Sequence, residues 1–567
     1  MIKELYIEFI KNNKLNFFLY FLTLSYIPIN KILIPKLYGN LISGLEKKDF
    51  KNIKYIFIYL IGGWFITQVL NTSSSYLTTL IMPKFKQFIR KFLVTEIFSR
   101  YKNNYEEIKM GDMITKIIKT PYILEDVFWL IKYFFIRNIF ILISLVFYLF
   151  YYNKKLGLLF VCSMSSIILI TYIYYCRCKI LYEEIEINYD KTHEEIEDIM
   201  SNLISIFNSR KTNFEKKRIE NIDNKVYKGN IKLNKCKNKF RIIYTIIFII
   251  IVIGLNYYSY NLYLNKEVDL KTFISIFIIN YSLLDIFMSL FSETNDFMST
   301  QSSINLLINY LKNELPKKQK KQHLKIPKTY KEFKSGINIE FKNVSFKYSS
   351  ATKYSLTNIN LEIKPNEKII IVGSVGSGKS TLSKLILRFL NGYQGEILLN
   401  GLTNKKINVE NLRSQIVYIP QHPNLFNRSL RENLLYGLKN VTIEDIFKKL
   451  DQVGLSDLKK KFKSELDNNV GKLGSNLSGG QRQIVWLLRN IFFPSKVIIL
   501  DEPTASLDHV TKKKIISLVK EISKNRTIII ITHDKSIMKE GFHNRLIKMK
   551  QGKIEKIVRN ITSIETF

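Results

Sequence analysis

The 567 residues exceed one ordinary domain, and a content of 46% hydrophobic and 13% aromatic residues leaves room for a large apolar half beside a soluble one. The formal charge of +38 raises the question of nucleic acid, because clustered Lys and Arg neutralise phosphates. Lys travels with Asn, Ile and Tyr along the whole chain and no aromatic-plus-basic stacking motif stands out, so nucleic acid is excluded as a partner and the charge is assigned to solvated faces, with some attraction to lipid headgroups.

The first fourteen residues, MIKELYIEFIKNNK, lack the small-residue cleavage site of a secretory signal and the acid-poor, Arg/Ser-rich character of a transit peptide. They predict an amphipathic helix lying on a membrane, with Ile2, Leu5, Tyr6 and Phe9 on one face. Six apolar stretches follow, each near the roughly 20 residues that a membrane-crossing helix needs: about 15–42, 55–82, 128–152, 156–175, 241–264 and 270–291. Connections after the second and fourth are long, so they share one side of the membrane, and residues 83–127 and 176–240 read as helical, Lys-rich extensions. The four cysteines, Cys162, Cys176, Cys178 and Cys236, lack the spacing of a zinc site or a disulfide framework.

Ionisable or amide side chains inside apolar spans are costly and mark transport pathways by default. Lys31, Arg137, Asn256, Asn280 and Asp285 qualify. Lys31 and Arg137 would favour an anionic solute; the alternative is that they reach the interface or pair with Asp285. The chain divides into a transmembrane domain, 1–311, a Lys-rich linker, 312–336, that carries Pro316 and Pro327, and a second domain, 337–567.

That second domain begins with short β-branched runs, INIEFKNVSF, LTNINLEI and EKIIIVGS. The third leads into Gly373, Ser374, Val375, Gly376, Ser377, Gly378, Lys379, Ser380 and Thr381, the pattern of a P-loop. Its glycines let backbone N–H groups wrap the phosphates of ATP at a helix N-terminus, Lys379 reaches the β and γ oxygens, and the Ser380 hydroxyl can ligate Mg²⁺. Leu477 to Gln481 reads LSGGQ, and the apolar run VIIL then delivers Asp501 towards the Mg²⁺ shell with Glu502 beside it as general base.

With a P-loop, LSGGQ and Asp501-Glu502 in this order, the second domain resembles the ABC ATPase family over essentially all of 337–567. The resemblance implies that Tyr348 stacks on adenine, that Gln421 links the Mg²⁺ and the lytic water to the membrane domain, and that His533 contacts the γ-phosphate. Ser506, Leu507 and Asp508 would occupy the loop that crosses to a partner subunit. It also implies a dimer, simplest as a homodimer, in which Ser478, Gly479, Gly480 and Gln481 cover the ATP held by the other copy. His193, His422 and His509 have no such context and read as surface positions.

A six-span domain fused ahead of the ATPase resembles ABC exporters. Pro35, Gly39 and Ile42 match their P-x-x-x-G-x-x-I pattern, and Met110-Gly111-Asp112 with Glu125-Asp126 resembles their first intracellular loop. Val470, Gly471 and Gly474 match V-G-E-x-G with Lys472 in place of Glu. The expected fold is an all-α six-span membrane domain followed by an α/β P-loop ATPase, with helical tips near 119–124 and 206–214 meeting the Gln421 region. Residues 198–218 and the run from Leu425 are similar to mitochondrial half-transporters that export a glutathione-linked sulfur species for iron–sulfur assembly. The expected function is ATP-driven solute export by a dimer, with a glutathione-linked or other sulfur species as one cargo and with the membrane, of a mitochondrion-related organelle or of the cell surface, left open. The alternatives are a plasma-membrane lipid, drug or peptide exporter, or an ATP-gated regulatory membrane protein.

Overall fold

The computed structural model describes residues 2–102, 110–309, 336–348, 351–505, 507–541 and 543–559. The chain forms two compact units, Met1–Phe98 with Lys109–Lys317, and Ser99–Ile108 with Lys318–Phe567. The expected linker lies mostly outside the described residues, as do Ser506 and the side chain of Asp285.

All described secondary structure of the first unit is helical, and six helices are long and apolar enough to cross a membrane: Lys14–Glu46, Phe50–Tyr101, Lys116–Tyr152, Lys154–Ser201, Thr212–Leu264 and Leu270–Asn309. A helix bonds its own N–H and C=O groups, which hydrocarbon cannot do for it. Phe50–Tyr101 and Thr212–Leu264 contain 52 and 53 residues, about 80 Å at the α-helical rise. That far exceeds the roughly 30 Å of a hydrocarbon core, so the expected Lys-rich extensions are continuations of the spans themselves. The segment expected near 119–124 is helical, within Met110–Leu130, which follows the helix Phe50–Tyr101. Pro121 is accommodated within Met110–Leu130. The second long connection turns between Ser201 and Thr212, around the short helix Leu203–Asn208, and overlaps the expected tip at 206–214.

Two expectations are corrected. The N-terminal helix Ile2–Asn12 turns its apolar face inward: Leu5 and Phe9 are buried, Phe9 packs 5.0 Å from Phe85, and the Tyr6 hydroxyl donates to the Leu124 carbonyl. Leu5 and Phe9, expected on the lipid-facing side, thus pack on protein, while Ile7 and Ile10 are exposed apolar residues of the helix. Cys178 and Cys236, 58 residues apart, form a disulfide with Cα atoms 6.2 Å apart. Side-by-side packing of their two long helices, with Tyr174, Ile185, Leu233 and Met298 around the bridge, creates a pairing that spacing could not reveal.

Gly39 sets how closely the first and sixth spans approach. A Cβ there would fall 2.1 Å from Ser275 Oγ and 2.2 Å from the Lys271 carbonyl oxygen.

The second unit holds ten strands: β1 Ile339–Phe346, β2 Leu356–Ile363, β3 Lys368–Gly373, β4 Gln394–Leu399, β5 Leu402–Thr403, β6 Ile416–Ile419, β7 Val497–Asp501, β8 Thr527–Ile531, β9 Arg545–Lys550 and β10 Lys553–Arg559. One sheet has the antiparallel order β2-β1-β4-β5, the other the order β10-β9-β3-β8-β7-β6. In the latter, β9, β3, β8, β7 and β6 pair in parallel. Every residue of β7 and β8 is buried, because parallel strands covered on both faces read as continuous apolar runs.

Gly39→Val should overpack the contact between the first and sixth spans and destabilise the protein by roughly 1–3 kcal/mol. A thermal melt of the detergent-purified protein checks this, and an unchanged Tm would show that the contact yields without cost.

Candidate nucleotide-binding site

The ends of β3, β7 and β8 face the same edge of the parallel sheet, since the three strands run side by side in one direction. Gly373, Asp501 and the residues after Ile531 therefore emerge together, where ligands bind in open α/β sheets. The P-loop leaves β3 and enters the helix Lys379–Ile386. Gly378 caps that helix with φ +95°, and a Cβ there would fall 2.5 Å from the Ser355 carbonyl oxygen, so the turn admits no side chain.

Ser374, Val375 and Gly376 are exposed, whereas Ser377, Lys379 and Thr381 are buried and Ser380 is half-buried. The Lys379 ammonium donates to the carbonyls of Gly373 and Ser374 at 2.8 and 2.9 Å, which folds it back across the loop. Burial pushes it below the usual lysine value, and the negative charges of Glu502 and Asp501 act against that shift. Tyr348 is half-buried, and its hydroxyl lies 3.2 Å from Thr381 Oγ1, which brings β1's trailing residue to the P-loop helix.

Asp501, the last residue of β7, is 5% exposed and accepts a 2.7 Å hydrogen bond at Oδ2 from the Tyr418 hydroxyl on neighbouring β6. Glu502 adopts φ +47°, a left-handed conformation that costs a non-glycine residue of order 1 kcal/mol. It turns off the strand towards β8, where its carboxylate meets His533 Nδ1 at 2.8 Å and accepts from Thr532 Oγ1 at 3.2 Å. The His533 side chain is 70% exposed against 11% for Glu502, so the imidazole sits at the solvent side of the pair. Gln421 is exposed two residues beyond β6, and His193, His422 and His509 are exposed as expected.

The LSGGQ segment opens the helix Gly479–Phe492. Ser478 and Gln481 form a reciprocal capping box: the Gln481 N–H donates to Ser478 Oγ at 3.2 Å, and the Ser478 N–H donates to Gln481 Oε1 at 2.8 Å. The two glycines differ in use. A Cβ on Gly480 would lie 2.5 Å from Thr511 Cγ2, so it permits close packing on the helix His509–Ile522, whereas Gly479 is exposed and open. Lys472 is exposed.

The ABC transporter profile matches residues 356–505, and that of the ABC transporter transmembrane region matches residues 16–284. The chain is an ABC transporter. It is a multi-pass membrane protein of the exporter type, carries one membrane region and one ATP-binding region, and couples ATPase activity to transport. It is 25% identical over 548 residues to the ATP-dependent lipid A-core flippase 1 of Colwellia psychrerythraea, covering 94% of this chain and 88% of that protein. It is 34% identical over 228 residues to a mitochondrial iron–sulfur clusters transporter of Danio rerio, a match to 40% of this chain and 30% of that one. The fold aligns with the structure of a bacterial Atm1-family ABC exporter with ATP bound, at TM-score 0.83 and 15% identity over 97% of this chain and 95% of that one.

Within the transporter's spans the flagged residues have partners that the sequence did not name. Arg137 pairs with Glu293, a carboxylate also bound by Asn138 Nδ2 at 2.7 Å. Asn280 donates to Asn256 Oδ1 at 3.0 Å, so these two form one clasp between the fifth and sixth spans. Lys31 is half-buried in a π-helical stretch, Ile29–Leu33, and Arg137 closes another, Ile131–Arg137.

Near the ATP site, Tyr418 and a second network went unnoticed. Asp534 accepts from Thr504 Oγ1 at 2.8 Å and pairs with Lys512 at 2.8 Å, tying the residue after His533 to the segment after Glu502. Burial opposes the Asp534 charge, but the hydrogen bonds from Lys512, Ser536 and Thr504 outweigh it and hold the carboxyl well below the usual aspartate range. A depressed folded pKa stabilises the fold fully above the unfolded value of about 4, and that stability is lost as pH falls through the folded value. Asp534→Asn should lower the Tm at pH 7 and reduce the dependence of Tm on pH below about 4; equal acid sensitivity of the two proteins would exclude this network as a source of stability.

Proposed function

We propose that the transporter acts as a homodimer that hydrolyses two ATP molecules and exports an amphipathic organic solute of the lipid, drug or peptide class. The observation that carries the reading is the convergence of Lys379, Asp501, Glu502 and His533 at adjacent strand ends, with Ser478 and Gly479 exposed at a separate helix start. Lys379 and the 373–381 backbone bind the ATP phosphates, and Tyr348 stacks on the adenine. Glu502 accepts the proton of the attacking water, while His533, held by that carboxylate, contacts the γ-phosphate. Ser478 to Gln481 cover the nucleotide of the second copy, a role that the exposure of Ser478 and Gly479 and the helix-start N–H groups suit.

Ser380, Gln421 and Asp501 are hard oxygen donors of the kind that Mg²⁺ takes. Tyr418 engages Asp501 Oδ2 and no hydrogen bond among the described residues engages Oδ1, which suits a ligand role. When bound, Mg²⁺ neutralises charge on the transferring phosphate. The domain limits 1–311, 312–336 and 337–567 serve this reading, with the helical segments near 119–124 and 206–214 carrying motion from the ATPase to the spans.

Export of a glutathione-linked sulfur species is supported by residues 198–218 and by the mitochondrial iron–sulfur clusters transporter among the relatives. The lipid, drug or peptide class is preferred because Arg137, a basis of the anionic reading, already spends its charge on Glu293. A plasma-membrane location fits it. Fractionation that found the protein in a mitochondrion-related organelle would favour the sulfur species instead.

In lipid nanodiscs, Glu502→Gln should cut ATP turnover by a factor of about 100 or more while ATP still binds, and turnover at the parent rate would refute the assigned role. Lys379→Ala should weaken ATP binding itself by about tenfold or more, measured by equilibrium binding of the nucleotide. That contrast separates a catalytic from a binding residue.

A further inference from the structure

We infer that the cavity between the third and sixth membrane helices is a recognition site for an organic cation carrying an aromatic or other apolar group. The inference rests on the exporter reading above and names the solute class that it would carry. The cavity has a volume of about 280 Å³ and lies within the first unit. Three carboxylates, Asp126, Glu293 and Asp296, share its lining with the rings of Trp129, Tyr133 and Phe134, and no lysine or arginine is among the lining residues.

Its place along the spans suits loading. Asp126 lies just before the apolar run of the third span, and Glu293 and Asp296 lie just after that of the sixth. Both walls are therefore at the membrane-boundary end from which the chain runs on to the ATP-binding unit. An exporter collects its cargo on that side.

The chemistry of the walls selects a charge. Glu293 is neutralised by Arg137 and accepts a hydrogen bond from Asn138. Asp126 and Asp296 are exposed and make no ion pair among the described residues; the cations that act on them from further away, Lys86 and Lys237, are engaged by Glu125 at 2.6 Å and by the Tyr182 ring at 4.9 Å. Two carboxylates thus remain beside a set of π faces. Trp129 and Tyr133 stack at 5.6 Å with 11° between their planes, and Phe134 stacks on Phe297 at 5.7 Å. The rings of Trp129 and Tyr133 already accept a cation, the buried Lys132 ammonium, 5.1 and 4.9 Å from their centroids. Carboxylates and ring quadrupoles both attract ammonium groups and repel carboxylates. The π-helical stretch Ile131–Arg137 contributes Tyr133 and Phe134 to the wall, a backbone irregularity that recurs at functional sites.

The test uses the full-length protein in phosphatidylglycerol nanodiscs, which offer no lipid ammonium, and two probes of matched size and opposite charge, 4-phenylbutylammonium and 4-phenylbutyrate. Equilibrium binding should saturate with the ammonium and be weaker by about tenfold or more with the carboxylate. The double variant Asp126→Asn, Asp296→Asn should lose about tenfold or more of the ammonium affinity. Equal binding of the two probes to the unchanged protein, a measurement that needs no variant, would overturn the assignment, and so would a double variant that binds the ammonium as tightly as the parent. Charge-selective binding together with undiminished ATP turnover in Glu502→Gln would leave this site standing while removing the export mechanism.

Discussion

Parallel pairing of β3 with β8 and of β8 with β7 is the constraint on which the ATP site depends. Three chain segments far apart in sequence end at one edge because the register Ile371↔Ile531 and Asp501↔Ile531 leaves no other place for them. The P-loop, the Asp501-Glu502 pair and His533 are then neighbours without any direct interaction having to find them. Glu502 departs from the strand in a left-handed conformation, and the hydrogen bonds from Thr532 and His533 hold its carboxylate across the neighbouring strand end. Strain at one residue is offset by two contacts supplied by the adjacent strand.

The membrane half obeys a different constraint. Its backbone groups are satisfied within helices, so the cost left to settle is that of polar side chains. Arg137 meets Glu293 and Asn138, Asn280 meets Asn256, and Lys132 lies over aromatic rings. The first neutralises charge, the second pairs two amides, and the third sets a cation against ring faces. Asp126 and Asp296, which make no direct ion pair among the described residues, border a cavity at the ends of the apolar runs of two spans, where a polar solute can be met without entering hydrocarbon.

Much of the second domain was legible because its motifs are contiguous. GSVGSGKST, LSGGQ and VIIL-Asp501-Glu502 each state a local backbone task, and the capping box between Ser478 and Gln481 follows the same three-residue logic. Tyr418 was not legible, because its contact with Asp501 depends on β6 lying beside β7, 83 residues away. The Thr504–Asp534–Lys512 network depends in the same way on strand adjacency. In the first domain, six apolar runs gave the spans, and the segment near 119–124 is helical as expected, with Pro121 inside the helix.

Composition and periodicity by themselves determined that the chain crosses a membrane six times and binds ATP, since a hydrocarbon core and a phosphate group each demand a residue pattern that is local. Only the tertiary structure decided which side chains meet one another: Arg137 with Glu293, Cys178 with Cys236, Phe9 of the N-terminal helix with Phe85. The physical reason is that pairing energies depend on distance, and distances between separate helices or strands are set by packing that sequence spacing does not encode.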